Sequence, residues 1–335
     1  MDNCSSKITV LTITYNRPNY IERQLRYYDH FDMEYPILLA DSSDDTLAKE
    51  NQLIIRKFPN LNIIYQKFPN SIHPMEKISK AADYLETPYV VYIADDDYLN
   101  IEVIPKMITF LEENDDFSLV HGKYFGFEYN HDKIETRKIY QIISREEEEG
   151  INRISQNFSN YKLLLLHAIQ RTDEFKQIWE ITALNSNNFR FGELLSSAIS
   201  LSFGKSRCMD IPYEIREINT SSLGHKKKGI NGFIADGSYD AQFYKFKEAI
   251  LNHLENQSTK LPRSELESQF LIGWNQYLQD LKPSKNNISL SKKILLRFPF
   301  VNRIKLLLYH IMNRNHNDYN EEESIFIQKF LYFFD

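Results

Sequence analysis

The apolar positions change rhythm along the chain, and the change divides it. From residue 7 to about 125, short unbroken apolar runs alternate with stretches whose apolar residues recur three and four apart. The runs are KITVLTITYN (7–16), YPILLADSSDD (35–45), LNIIYQKF (61–68) and PYVVYIA (88–94). Their continuous, largely β-branched character predicts strands buried on both faces. The intervening stretches NYIERQLRYYDHF (19–31), TLAKENQLIIRKF (46–58), MEKISKAADYLE (75–86) and IEVIPKMITFLEEN (101–114) carry helical spacing, and Pro18 suits the first turn of its helix. FSLVHGKYFGFEYN (117–130) predicts a further strand. Strands alternating with helices of this length imply an α/β fold: a Rossmann-type, mostly parallel central sheet flanked by helices, with right-handed crossovers.

After residue 145 the period lengthens. REEEEGINRISQ (145–156) places an acidic block where the solvated first turn of a helix is expected. SNYKLLLLHAIQ (159–170), DEFKQIWEITALN (173–185) and FRFGELLSSAISLSF (189–203) all suit helices. SRCMDIPYEIREIN (206–219) predicts an edge strand or hairpin, since Pro212 argues against a central place. Residues 219–238 hold four of the ten glycines and predict a mobile loop. From 239 onward the pattern is helical. The stretch 281–317 carries eight Lys or Arg and no Asp or Glu, interleaved with Phe298, Phe300 and Leu306 to Leu308.

Composition narrows the class. The chain has 335 residues, enough for one large domain with an appendage or two modest domains. An apolar fraction of 42% excludes global disorder, and a net charge of -6 argues against a nucleic-acid binder. Cys4 and Cys208 fit no metal spacing and suit a reducing compartment. The N-terminal stretch lacks the basic and apolar regions of a secretion signal, and no apolar run has the length of a membrane span. The expectation is a cytoplasmic protein, either free or peripheral at the inner face of the membrane.

In open parallel sheets, ligands bind beyond the carboxyl ends of the strands. Polar groups collect at three such ends here: Thr14, Asn16 and Arg17; Asp41, Ser42 and Ser43; and Asp95, Asp96 and Asp97. A carboxylate cluster beside a cleft suits a divalent cation, since hard cations take oxygen ligands and adjacent like charges need compensation. A solvated turn in which Asp97 or Asn100 caps the helix from Ile101 is the other reading.

TVLTITYNRPNYI, LLADSSDD and YVVYIADDDYL, in this order and spacing, resemble the nucleotide-binding half of family-2 glycosyltransferases, which have the GT-A fold, here of the bacterial surface-glycan type. The resemblance is clear over 7–125 and extends weakly to 240. It implies a GT-A domain over 1–240, with a nucleotide-sugar half at 1–125 and an acceptor half at 126–240, followed by a helical extension at 241–335. It also implies that Thr14, Tyr15, Arg17 and Asp41 hold the nucleobase and ribose, and that the aspartate motif binds Mn²⁺ or Mg²⁺ and the diphosphate. The common pattern Asp-x-Asp-Asp would begin on Ala94; the alternative pairs Asp95 with Asp97. Asp96 or Asp97 is expected on the metal, and Asp95 near the ribose or metal. Arg216 falls where the family often carries a basic residue near the diphosphate; a salt bridge to Glu214 or Glu217 is its other use. Lys77 is a further candidate for that anion, and His73 reads as a turn residue before Pro74.

The family inverts the anomeric carbon with one carboxylate as base at the start of a helix. Glu193 in FRFGELLSSAIS is the match, ahead of Asp173 and Glu180, although a helix-surface role is open to it. His225, in a loop with Lys226 to Lys228, is a candidate to complete the metal shell. A glycan or lipid-linked acceptor would follow from the resemblance, with no nucleic acid as partner. The stretch 281–335 then either meets an anionic membrane surface or packs against the domain or a second subunit, and the closing ESIFIQKFLYFF favours packing. Rival readings are a nucleotidyltransferase of related fold, against which TITYNRPNY lacks the expected glycines, and a catalytically inactive glycan-binding or scaffold domain.

Overall fold

A computed structural model describes residues 7–130, 133–140, 142–162, 164–218, 229–257, 260–281 and 319–334. The first half follows the apolar rhythm. Strands β1 (Ile8–Thr14), β2 (Ile37–Asp41), β3 (Ile63–Lys67) and β4 (Tyr89–Ala94) alternate with helices α1 (Pro18–His30), α2 (Asp45–Ile55) and α3 (Pro74–Ala82). Each helix start has a local cause. Pro18 opens α1, the Asp44 carboxylate accepts from the Leu47 amide at α2, and His73 Nδ1 accepts from the Met75 amide at α3. After β4 the chain forms a three-residue strand, β5 (Asp97–Leu99), then a short 3₁₀ turn, Ile101–Val103, and α4 (Ile104–Glu113). Asn100 caps that turn, as one of the two readings expected, whereas Asp97 lies in the strand.

The second half comprises β6 (Phe117–Asn130), β7 (Lys133–Tyr140), α5 (Gly150–Ser159), β8 (Ile169–Arg171), α6 (Thr172–Asn185), α7 (Phe189–Phe203), β9 (Lys205–Glu217), α8 (Ile230–Ala235), α9 (Tyr239–Asn256), α10 (Arg263–Asp280) and α11 (Glu321–Phe334). The sheet runs β3-β2-β1-β4-β8-β6-β9-β5, with β7 paired to β6. β1 is parallel to β2 and β4, whereas β8 is antiparallel to β4 and β6, and β5 is antiparallel to β9. β6 is parallel to β9, so the sheet is mostly parallel, with the reversed strands β5, β7 and β8 in its second half.

Four expectations are corrected. Residues 159–170 do not form a helix; the apolar run bends at His167 and enters β8, whose Ile169 and Gln170 pair with both β4 and β6. β9 is not an edge or hairpin: it lies between β6 and β5, and Pro212 is accommodated where its register against β6 shifts around Lys123. The acidic residues 146–149 precede α5 instead of forming its first turn, with Glu149 at the cap position. The glycine-rich stretch is helical over Ile230–Ala235; residues 219–228, including His225 and the lysines, lie outside the described residues. The basic stretch 282–318 lies outside them as well.

The helices after 239 pack on the domain. Phe158, Phe191, Phe246, Phe270 and Trp274 form one aromatic cluster joining α5, α7, α9 and α10. α10 crosses α5 closely at Gly273, where a Cβ would stand 2.3 Å from the Ser155 carbonyl oxygen. Only glycine fits that crossing. The closing helix α11 buries Phe326, Ile327 and Phe330, so the packing expected of ESIFIQKFLYFF is present.

Candidate functional site

The strand order turns back between β1 and β4: β2 and β3 follow on one side, β4 on the other. Register brings Thr14 opposite Asp41 and Ile13 opposite Ala94, so all three polar strand ends meet at this point. A cavity of about 340 Å³ opens there. Its polar wall includes Thr14, Arg17, Lys77, Asp95 and Asp96; its apolar wall includes Tyr92, Trp179 and Phe189.

The aspartates are buried and divided between two cations. Arg17 donates to Asp95 Oδ1 at 2.5 Å and to Asp96 Oδ2 at 2.9 Å, while its guanidinium lies 3.6 Å from the Tyr20 ring centroid. Thr14 Oγ1 donates to Asp95 Oδ2 at 2.7 Å. Burial, then the neighbouring Asp96, push the Asp95 carboxyl up to about 7 despite Arg17. Burial alone would lower the Arg17 guanidinium; Asp95 and Asp96 outweigh it and hold the charge firmly. Gln24 fixes the backbone on both sides of the pair, donating to the carbonyls of Ala94 at 2.7 Å and Asp97 at 2.9 Å.

Asp97 belongs to a second cluster. β5 pairs with β9 so that Asp97 stands opposite Arg216 and Leu99 opposite Glu214. Arg216 Nε lies 3.1 Å from Asp97 Oδ2 and 3.4 Å from Glu214 Oε1. His167 Nδ1 lies 2.6 Å from Glu214 Oε1 and 3.6 Å from Asp97 Oδ2. Both carboxyls are pushed up by burial, Asp97 to about 7 and Glu214 to about 8, and burial lowers His167 to about 3. The imidazole is therefore neutral and able to coordinate. One ligand atom from each of Asp97, His167 and Glu214 lies within 4.8 Å of the others, and Glu214 Oε2 is buried without a hydrogen-bond partner among the described residues. An orphaned buried carboxylate oxygen in a set of two acids and a neutral imidazole fits a divalent cation.

The remaining candidates separate. Lys77 lines the cavity, donating to the Thr14 carbonyl and Ser42 Oγ, both at 2.8 Å; burial lowers it to about 8. Tyr15 is exposed at the cavity wall, and Asn16 after it has a positive φ of 56°. Asp41 does not line the cavity. Its carboxylate accepts from the Ser43 amide at 2.7 Å, Asn51 Nδ2 at 2.9 Å and the Tyr65 hydroxyl at 2.8 Å. Glu193 lines the cavity from the second turn of α7, 3.4 Å from Arg190. Asp173 and Glu180 are exposed on α6, away from it. Arg216 lines the cavity and also makes the salt bridge to Glu214; Glu217 pairs with Arg23 instead.

His167 and Glu214 were absent from the sequence candidates. His167 was hidden in an apolar run read as helix; a lone imidazole among four leucines and Ala-Ile was the available signal. Glu214 alternates with Tyr213 and Ile215 in a strand buried on both faces, which no surface salt bridge explains.

Residues 9–169 match the model of Glycosyl transferase family 2. The resemblance carried by the three motifs is borne out by that match, and the match supports the glycosyltransferase reading. Among solved structures the chain is similar to S. aureus TarS. Residues 1–349 of TarS share 18% identity at a TM-score of 0.55, over 86% of this chain and 77% of that one. The same TarS segment in complex with UDP-GlcNAc gives 17% and 0.58, over 86% and 77%. A longer TarS chain gives 17% and 0.55, over 85% of this chain and 46% of that one. This likeness carries the GT-A fold. No curated protein sequence matches the chain.

Proposed function

We propose that this chain, whose residues 9–169 match glycosyltransferase family 2, moves a sugar from a nucleoside-diphosphate donor to a glycan or lipid-linked acceptor hydroxyl, inverting the anomeric carbon. The observation that carries the reading is the meeting of three polar strand ends, two arginines and a buried lysine around one cavity at the switch point of the sheet, with His167 joining that cavity's wall to the buried carboxyls of Asp97 and Glu214 behind it. TarS has been crystallised with UDP-GlcNAc and with UDP, which makes a UDP-linked sugar the first donor to test.

Tyr15 offers its exposed ring to the nucleobase. Lys77, Arg17 and Arg216 line the cavity and present positive charge to the diphosphate. Asp97, His167 and Glu214 would hold the divalent ion, with Asp96 close enough to raise both neighbouring carboxyls. When bound, that ion stabilises charge on the departing diphosphate without a proton. Glu193 takes the proton from the acceptor hydroxyl in the cavity, and Arg190 pairs with its carboxylate at 3.4 Å. The apolar wall of Tyr92, Trp179 and Phe189 excludes water from that corner. Asp41 acts through Ser43, Asn51 and Tyr65, fixing the turn that carries Ser42 into the cavity.

No helix among the described residues is long and apolar enough to cross a membrane. A cytoplasmic enzyme acting on surface-polysaccharide precursors agrees with this reading. The test is titration of UDP and a panel of nucleotide sugars with Mn²⁺ and with chelator, followed by slow donor hydrolysis. Mn²⁺-dependent binding and release of the nucleotide support the reading. Binding that ignores Mn²⁺, or that survives Asp97→Ala unchanged, overturns the ion's place in it.

A further inference from the structure

β5 is a weak carrier for a site residue. It has three residues, lies at the end of the sheet path, and has β9 as its ladder partner. Short edge strands open first when a fold loosens. Yet Asp97, Tyr98 and Leu99 are all buried, so something covers them.

The cover is the last helix of the chain. Successive residues of a strand face opposite ways. Asp97 points to His167 and Arg216, so Tyr98 points to the other side. There its ring meets Tyr27 of α1 at 5.0 Å, Phe127 of β6 at 5.9 Å and Phe330 of α11 at 5.4 Å. Phe330 is fully buried and also touches Phe127 at 4.9 Å and Tyr27 at 6.1 Å. Phe333 adds a contact to Tyr27 at 5.4 Å. The Tyr27 hydroxyl in turn donates to the Leu99 carbonyl at 3.1 Å. The other end of α11 is fastened by charge. Glu323, 1% exposed, accepts from Lys123 of β6 at 2.7 Å and from the Asn320 amide at 3.1 Å, while Asn320 Oδ1 accepts from the Glu323 amide at 2.9 Å. A buried, doubly satisfied carboxylate at a helix start fixes where that helix begins and therefore which turn presents Phe330.

We propose that α11 is a clasp that sets the position of β5, and that Phe330 and Glu323 are positioning residues for Asp97 and its ion. The inference rests on the assignment of the ion to Asp97, His167 and Glu214. Residues 320–334 thereby govern ion affinity at a site they do not touch. The physical reason is rigidity: a ligand on a three-residue strand holds an ion well only if the strand's far face is packed, and outer groups that orient ligands typically change metal affinity by roughly 10–100-fold.

The experiment uses the full chain as wild type, Phe330→Ala, Phe330→Leu and Glu323→Gln. Mn²⁺ affinity is read by electron paramagnetic resonance, and amide hydrogen exchange is followed along β1, β4 and β5. Phe330→Ala is expected to weaken Mn²⁺ binding about tenfold or more and to speed exchange at Tyr98 and Leu99, leaving β1 and β4 protected; Phe330→Leu restores most of both. Should Phe330→Ala unfold β1 and β4 as well, Glu323→Gln, which leaves the aromatic cluster closed, carries the same test with the same direction. Unchanged Mn²⁺ affinity in the folded variants overturns the clasp. If the wild type itself binds no Mn²⁺, the ion assignment has failed, and the exchange at Tyr98 and Leu99 decides the clasp alone: unaltered rates refute it.

Discussion

Replacing Arg17 with alanine isolates the electrostatics of the cavity. Asp95 is 3% exposed and Asp96 is 7% exposed, and Arg17 reaches both at 2.5 and 2.9 Å. Removing one partner of a buried pair commonly costs about 3–5 kcal/mol, because the stranded charge remains buried. Arg17's side chain is 26% exposed, so screening brings the figure below that range, to about 2–3 kcal/mol. At roughly 2–4 °C per kcal/mol for a domain of this size, the melting temperature should fall by about 4–12 °C. The loss must depend on pH. Asp95 is already raised to about 7 with Arg17 present, and it rises further without it. Below that range the carboxyl is protonated and the missing cation matters little; above it the full penalty appears. The assay is thermal unfolding of wild type and Arg17→Ala at about pH 5.5 and about pH 8, with chelator and with Mn²⁺. The expected result is a small difference at the lower pH, the full difference at the higher, and partial recovery with Mn²⁺. An equal loss under all four conditions would refute the reasoning and reduce Arg17 to a packing residue on Tyr20.

Other outcomes follow from the same geometry. Glu193→Gln should lower transfer by about 10²–10⁴-fold while leaving donor affinity intact, measured by initial rates beside equilibrium UDP binding; equal loss of both would make Glu193 a binding residue. In the metal-free protein, Asp95, Asp97 and Glu214 titrate above their unfolded values, so their contribution to stability is complete below pH about 4 and is lost as pH rises through about 7 to 8. Chelated protein should melt lower near pH 8 than near pH 5.5, and Mn²⁺ should remove most of the difference; a flat profile contradicts this. Asp41→Ala strands the Ser43 amide, Asn51 and Tyr65, and should cost about 3 kcal/mol or more of stability. Its UDP affinity at a temperature where it remains folded should change less than that of Lys77→Ala, as calorimetry can show.

How much of this was legible in the sequence depended on range. The β1–α3 succession followed from period and from Pro18, because those signals act within a few residues. The three polar strand ends pointed to one site because strand direction alone brings them together. β5 and β9 were not legible: three residues carry no period, and a proline inside a paired strand is allowed only by a register shift that the partner supplies. His167 and Glu214 were missed for the same reason. Their roles arise where β8, β9 and β5 converge from residues 97, 167 and 214, and no local rule joins positions that far apart. Asp41 is a mixed case. Its place at a strand end was legible, but the hydrogen bonds its carboxylate accepts from Asn51 and Tyr65, ten and twenty-four residues on, were not.

The most direct measurement is pulsed electron paramagnetic resonance of Mn²⁺ bound with UDP, in the wild type and in His167→Gln. If Asp97, His167 and Glu214 hold the ion against the donor's diphosphate, the wild type shows both ³¹P and imidazole ¹⁴N couplings, and the ¹⁴N coupling disappears in His167→Gln while ³¹P persists. A bound Mn²⁺ with ³¹P coupling and the same ¹⁴N signal in both proteins, or with no ¹⁴N signal in either, would contradict that assignment.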